Sequence, residues 1–204
     1  MIDADEALAR LRKGNERFVS DVLQSEASVT PTRRRELVVA QAPFAIILGC
    51  SDSRVPAEII FDQGLGDLFV IRVAGNIIAP SQVDSVEFAA ERYGTPLVVV
   101  LGHSTCGAIL ATLEELARPP AEQSRNLRSI VDRVRPSIEP LLATDIARDQ
   151  AALVRHAVRA NIRASVNQLR RGSQGLEKLI RQGALRVVGA EYSLDSGVVD
   201  FFDM

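Results

Sequence analysis

The chain has 204 residues, 47% of them hydrophobic and 25% charged, with a formal net charge of -2. A chain of that length buries roughly 70% of the surface it exposes when unfolded, so a single self-supporting domain over residues 1–204 is expected. The near-neutral balance, with arginines grouped only locally at Arg33-Arg34-Arg35 and Arg170-Arg171, gives no broad electrostatic reason for a nucleic-acid partner. The first residues are charged from Asp3 onward, unlike a secretory signal, and no apolar run approaches the ~20 residues that cross a bilayer. The expectation is a cytoplasmic protein with no membrane partner.

In chain order, Ala7, Leu8, Leu11 and Phe18 recur near helical spacing behind Asp3 and Asp5, which predicts an amphipathic helix over 4–19. A short helix over 33–40 follows Thr30-Pro31-Thr32, and Pro43 stops it. Residues 44–50 form an apolar strand. Residues 55–61 make a short helix with Pro56 in its first turn, and a glycine-punctuated loop leads to a second strand over 67–73. Pro80 opens a helix to Arg92, Gly94-Thr95-Pro96 introduces a third strand over 97–102, and Cys106-Gly107 opens a helix to about Ala117. A charged helical region over 124–135 is expected to be interrupted by Pro136 and Pro140.

The longest helix is predicted over 145–169, with Leu153, Ala157, Ala160, Ile162, Val166 and Leu169 on its apolar side, followed by a short turn over 176–180. A fourth strand over 184–191 and a hairpin through 193–197 into residues 198–202 close the chain, the last strand lying antiparallel at an edge. Strands alternating with helices point to an α/β fold. The expected architecture is a central, mainly parallel sheet of about four parallel strands plus an antiparallel edge strand, flanked by helices, with an N-terminal helical arm over 1–40.

Two strand ends carry chemistry. The run Ala45-Ile46-Ile47-Leu48-Gly49 ends in Cys50-Ser-Asp-Ser-Arg54, and the run Leu97-Val98-Val99-Val100-Leu101-Gly102 ends in His103-Ser-Thr-Cys106. Neighbouring parallel strands bring their carboxyl ends together, where open α/β sheets build sites. Two thiolates and an imidazole suit one zinc ion per chain. Two inert core cysteines would leave the adjacent Asp, Arg and His unexplained, and a cytoplasmic setting disfavours a disulfide. The fourth position is open to water or filled by Asp52, for whose charge Arg54 competes. Zn2+ with two thiolates and a neutral imidazole sums to zero charge, so a water in the open position could ionise to a bound hydroxide.

Cys50-Ser-Asp-Ser-Arg54, Arg72-Val-Ala-Gly-Asn76, Ser85-Val-Glu-Phe-Ala89 and Gly102-His-Ser-Thr-Cys-Gly107 together resemble the β-class carbonic anhydrases, over the chain from the N-terminal helix to the final hairpin. The resemblance implies reversible hydration of carbon dioxide to bicarbonate and a proton. It implies Cys50, His103 and Cys106 as zinc ligands, with Asp52 and Arg54 as a catalytic dyad. Such a dyad suits the residue types: Arg54 can hold Asp52 off the metal, and Asp52 can accept the hydrogen of a zinc-bound hydroxide and aim it. Gln41, Phe69, Ala74, Phe88 and Gly107 are implied as substrate-pocket positions, Gln41 and Phe69 arriving from a partner chain. A homodimer or homotetramer is implied, with the 1–40 arm packing on the neighbouring protomer.

The resemblance further implies a closed state in which Asp52 itself binds zinc, expected at low pH, since Gly49, Pro56 and Ala57 are similar to the members that switch. Arg72 and Tyr192 match a non-catalytic bicarbonate pocket of some members, but Ile47 stands where that pocket has Trp. His156, the only other histidine, reads as a surface or packing residue. Three other functions share the ligand set: a hydrolase of carbon disulfide or carbonyl sulfide, a bicarbonate sensor without turnover, and a structural zinc subunit. The intact Asp52 and Arg54 argue against the sensor.

Overall fold

The computed structural model describes residues 2–24 and 29–202. Residues 1, 25–28 and 203–204, which fall within the expected 1–40 arm and 1–204 domain, lie outside the described residues. Five strands form one sheet in the order β2-β1-β3-β4-β5: β1 (Ala45–Gly49), β2 (Leu68–Arg72), β3 (Leu97–His103), β4 (Arg186–Tyr192) and β5 (Val199–Phe202). The first four run parallel, and β5 pairs antiparallel with β4 at the edge. That is the expected α/β architecture.

Side chains alternate across the sheet with the period of two that a strand dictates. Ile46, Leu48, Val98, Val100 and Val187 face one core, which α4 (Pro80–Tyr93), α5 (Gly107–Ala117), α6 (Arg128–Ile138), α7 (Gln150–Arg170) and α8 (Gln174–Arg181) cover. Ala45, Ile47, Leu97, Val99 and Leu101 face a second core under α1 (Ala4–Val19) and α3 (Ala57–Ile60). Both faces of β1 and β3 are buried along their whole length, which explains their unbroken apolar runs.

Helix boundaries follow capping chemistry. The Asp3 carboxylate accepts from the Glu6 N–H at 2.8 Å and starts α1. The longest helix begins at Gln150 rather than the expected 145, because Asp149 caps Ala151 and Ala152 while Asp145–Arg148 coils as a separate 3-10 turn. The helix expected over 33–40 is Pro31–Glu36, α2. Pro136 does not interrupt its helix. It sits in the last turn of α6, where its missing N–H removes one bond just before the helix tightens into the 3-10 turn Glu139–Ala143, while fully buried Val134 and Ile138 hold that turn to the core. No helix among the described residues is long and apolar enough to cross a membrane.

The apolar stripe of α1 finds shelter inside its own chain. Ala7, Leu8 and Leu11 join the second core, and a Cβ on Gly14 would lie 1.8 Å from the Phe61 carbonyl oxygen, so the helix touches the backbone after α3. Buried Asn15 then makes three bonds: its Nδ2 donates to the Ile60 and Gly197 carbonyls at 3.2 and 2.9 Å, and its Oδ1 accepts from the Val199 N–H at 2.8 Å. Among the described residues the segment after α2 is far less covered, where Val38 and Val39 are 83% and 89% exposed. Asn15→Ala strands three backbone groups, two in buried bonds and one part-buried, and a loss of about 3 kcal/mol is expected. Urea unfolding monitored by circular dichroism checks this; a change below about 0.5 kcal/mol would mean that water replaces the amide without loss.

Candidate metal centre

Parallel pairing delivers the ligands. Gly49 is in register with Leu101, so Cys50 leaves β1 beside the stretch of β3 that ends at His103. Thr105, at φ 51, turns the chain back so that Cys106 becomes the N-cap of α5. One ligand atom from each of Cys50, His103 and Cys106 lies within 4.8 Å of the other two, and all three residues are buried. The two Sγ atoms are 3.9 Å apart and both cysteines are free, so the pair is not a disulfide.

The imidazole is oriented for a metal. His103 Nδ1 lies 3.0 Å from the Ser104 carbonyl oxygen, and an N–H there leaves the Nε2 lone pair free. Nε2 is buried and has no hydrogen-bond partner among the described residues. Such an orphaned atom costs about 1–3 kcal/mol, and a cation between it and the two sulfurs would satisfy it. A donor set of two sulfurs and one nitrogen fits zinc.

The two thiols and the imidazole perturb one another. A Cys106 S–H donating to the Cys50 sulfur holds the Cys50 thiol low against the opposing effect of burial, aided by His103 and the Gly75 N–H. The same sulfur–sulfur bond and burial push the Cys106 thiol up. Burial opposes charge on His103, but the Cys50 thiolate outweighs it and raises the imidazole.

Asp52 faces the same centre from the turn after β1. Arg54 grips it bidentately, Nε donating to Oδ1 at 2.9 Å and Nη2 to Oδ2 at 2.7 Å, while the Arg54 backbone N–H donates to Oδ1 at 3.0 Å. These bonds, the Arg54 side chain foremost, hold the Asp52 carboxyl well below the usual carboxylate range. Asp52 Oδ2 is 3.8 Å from His103 Nε2, so the carboxylate stands at the rim of the ligand triangle in its Arg-paired arrangement.

Arg72 plays a part that its sequence position did not reveal. Its Nε donates to the Cys50 carbonyl at 3.0 Å and its Nη2 to the Asp52 carbonyl at 2.6 Å, fastening the backbone that carries both residues. Its position at the end of the strand beside β1 was the available signal. Tyr192, by contrast, is buried against Phe18 at a centroid distance of 6.5 Å, and Ile47 is fully buried in the second core.

The implied pocket positions divide into two groups. Gly107 follows Cys106 with open space where a Cβ would stand, and Ala74 precedes the glycine whose N–H touches the Cys50 sulfur. Phe69, Phe88 and Tyr93 form an aromatic cluster with centroids 5.7–6.3 Å apart, and Gln41 Nε2 donates to the Tyr93 hydroxyl at 2.9 Å. Phe69 is in register with Ile46, four residues before Cys50 on β1, and at about 3.3 Å per residue that is ~13 Å along the strand from the thiol. Within one chain the structure therefore does not bring Gln41, Phe69 and Phe88 to the metal centre. His156 is exposed on α7.

The carbonic anhydrase family model matches residues 45–199. Carbonic anhydrase 2 of Mycobacterium tuberculosis (strain CDC 1551 / Oshkosh) is 41% identical over 187 residues, covering 92% of this chain and 87% of its own. The solved β-carbonic anhydrase CcaA superposes with a TM-score of 0.78 at 26% identity, over 96% of this chain and 95% of its own. A structure from a study of two tetrameric β-carbonic anhydrases of Sordaria macrospora shares the fold, with a TM-score of 0.75 at 23% identity over 86% of this chain and 88% of its own. With the motifs, the sheet and the metal-type cluster, these likenesses show that the chain belongs to the carbonic anhydrase family, in its β class.

Proposed function

We propose that this protein catalyses the reversible hydration of carbon dioxide to bicarbonate and a proton, with one zinc ion per chain held by Cys50, His103 and Cys106. The observation that carries the reading is the orphaned His103 Nε2 between two buried sulfurs, with an Arg-clamped carboxylate 3.8 Å away. Zinc, when bound, is a Lewis acid that makes water a competent nucleophile near neutral to alkaline pH. Asp52, kept ionised by Arg54, accepts a hydrogen bond from the attacking group and fixes its direction toward the carbon of the substrate. Arg54 keeps that carboxylate from turning onto the metal, and Arg72 holds the peptide beneath it. The closed arrangement, with Asp52 as a fourth ligand, would require that bidentate pair to open.

Gly107, with open space where a Cβ would stand, leaves room beside Cys106 for a small apolar molecule. Gln41, Phe69 and Phe88 would complete the pocket from a second protomer, which the ~13 Å strand separation within one chain favours. Exposed Val38 and Val39 and half-exposed Phe88 give that protomer an apolar surface to cover. In this reading the active form is a dimer, or a tetramer as in the Sordaria macrospora structural neighbours, and the 1–40 arm meets the partner through Val38 and Val39.

A competition assay tests the substrate. Stopped-flow hydration of carbon dioxide by zinc-replete protein, run with and without carbonyl sulfide and with carbon disulfide in parallel, should show fast carbon dioxide turnover and little sulfide release. Turnover confined to the sulfur compounds would transfer the site to that hydrolase reaction. No turnover of any substrate in zinc-loaded, oligomeric protein would leave a sensor or a structural subunit.

A further inference from the structure

Helix α7 packs on the sheet with a side that is buried and apolar at Ala157, Val158, Ile162 and Val166. Asn161 and Ser165 interrupt it, at 2% and 4% exposure. Buried amides and hydroxyls lower stability unless they are paired, and neither residue favours a helix interior. Their partners are the carbonyls of one short segment: Asn161 Nδ2 donates to Gly75 O at 2.7 Å and Ser165 Oγ to Asn76 O at 2.9 Å. Farther along, Gln168 Nε2 donates to Ile78 O at 3.4 Å.

That segment is one the chain would not hold unaided. Gly75 and Asn76 both take left-handed backbone angles, φ 71 and φ 43, which cost about 1 kcal/mol or more at a non-glycine residue. A Cβ on Gly75 would meet that of Ala108 at 3.0 Å, so the turn is hemmed in on the side of α5 as well. The turn presents the Gly75 N–H to the Cys50 sulfur at 3.4 Å. Asn161 therefore grips the carbonyl of the same residue whose N–H touches a ligand atom.

We infer that Asn161 is a positioning residue for the metal centre: from α7, through Gly75, it sets the hydrogen bond on the Cys50 sulfur and so tunes the strength of the metal–thiolate bond. The inference rests on the metal-centre reading above. An N–H donated to a thiolate withdraws electron density from it, and loss of such an outer partner changes metal affinity by about 10–100-fold.

Titration of the full-length, metal-free protein with Co2+ tests the inference, because thiolate-to-metal charge-transfer bands report the electron density on sulfur. Wild type should take one equivalent with sulfur charge-transfer absorption. Asn161→Ala should move its charge-transfer band to lower energy, and its affinity for Co2+ in competition with a chelator should change by about 10–100-fold. Asn15→Ala, which also loses a buried amide but at the end of α1, should keep the wild-type band and affinity. Asn161→Ser, with a shorter donor, should shift in the same direction by less, and it serves if the alanine variant does not fold. A folded Asn161 variant with the wild-type band and an affinity within twofold overturns the inference while leaving the metal centre standing. Wild type that takes no Co2+ through sulfur overturns both.

Discussion

Cys106→Ser protein equilibrated with excess zinc should retain less than about a tenth of the metal that wild type holds, and its carbon dioxide hydration should fall by at least about 10³-fold, beyond the 10–100-fold typical of outer-sphere changes. The substitution removes one of three donors that converge within 4.8 Å while changing side-chain volume little. Cys106 is 1% exposed and supplies the backbone N-cap of α5, and its carbonyl accepts from Ile109 and Leu110, bonds that serine keeps. The fold should therefore survive, with unchanged far-ultraviolet circular dichroism beside the loss of metal by elemental analysis. Full zinc occupancy and wild-type turnover in the variant would place the metal elsewhere.

Asp52→Ala separates chemistry from metal binding. It should keep one zinc per chain and lose about 10²–10³-fold in kcat, the magnitude found when one preorganised orienting group is removed. Asp52 earns that expectation from geometry: three hydrogen bonds from Arg54 fix both carboxylate oxygens, and Oδ2 points to within 3.8 Å of His103 Nε2. Arg54→Lys replaces a planar fork by a point charge, so it should lose activity less severely, by about tenfold. Zinc analysis alongside stopped-flow hydration reads both variants. Wild-type turnover in Asp52→Ala would remove the dyad from the account and leave the carboxylate as a structural partner of Arg54.

Most of the fold was legible because the sheet is parallel and covered on both sides. Strands buried on both faces become continuous apolar runs, and the residues just past the ends of β1 and β3 stand out as Cys50, His103 and Cys106. Helix ends were less legible where two signals compete. Asp145 and Asp149 both look like caps, and only the carboxylate of Asp149 accepts from the N–H groups of α7. Pro136 looks like a stop, yet tertiary contacts at Val134 and Ile138 carry the helix past it.

The site was legible in its ligands and not in their supports. Arg72 and Asn161 act through main-chain carbonyls, Cys50 O and Asp52 O for one and Gly75 O for the other. A carbonyl leaves no mark in a sequence, so such partners emerge only when the chain is folded. Asn161 was further hidden by the helical pattern, in which one polar residue beside Ile162 reads as an imperfect stripe. Nor could periodicity alone tell where the stripe of α1 would be buried. The close approach at Gly14 and the three bonds of Asn15 answer that question within the chain.

The central claim, that a zinc ion at Cys50, His103 and Cys106 hydrates carbon dioxide, is tested most directly by stopped-flow hydration at alkaline pH while metal-free protein is titrated with zinc. Turnover should rise linearly and level off at one equivalent per chain. Turnover that is absent at one equivalent, or that does not depend on zinc, would contradict the claim.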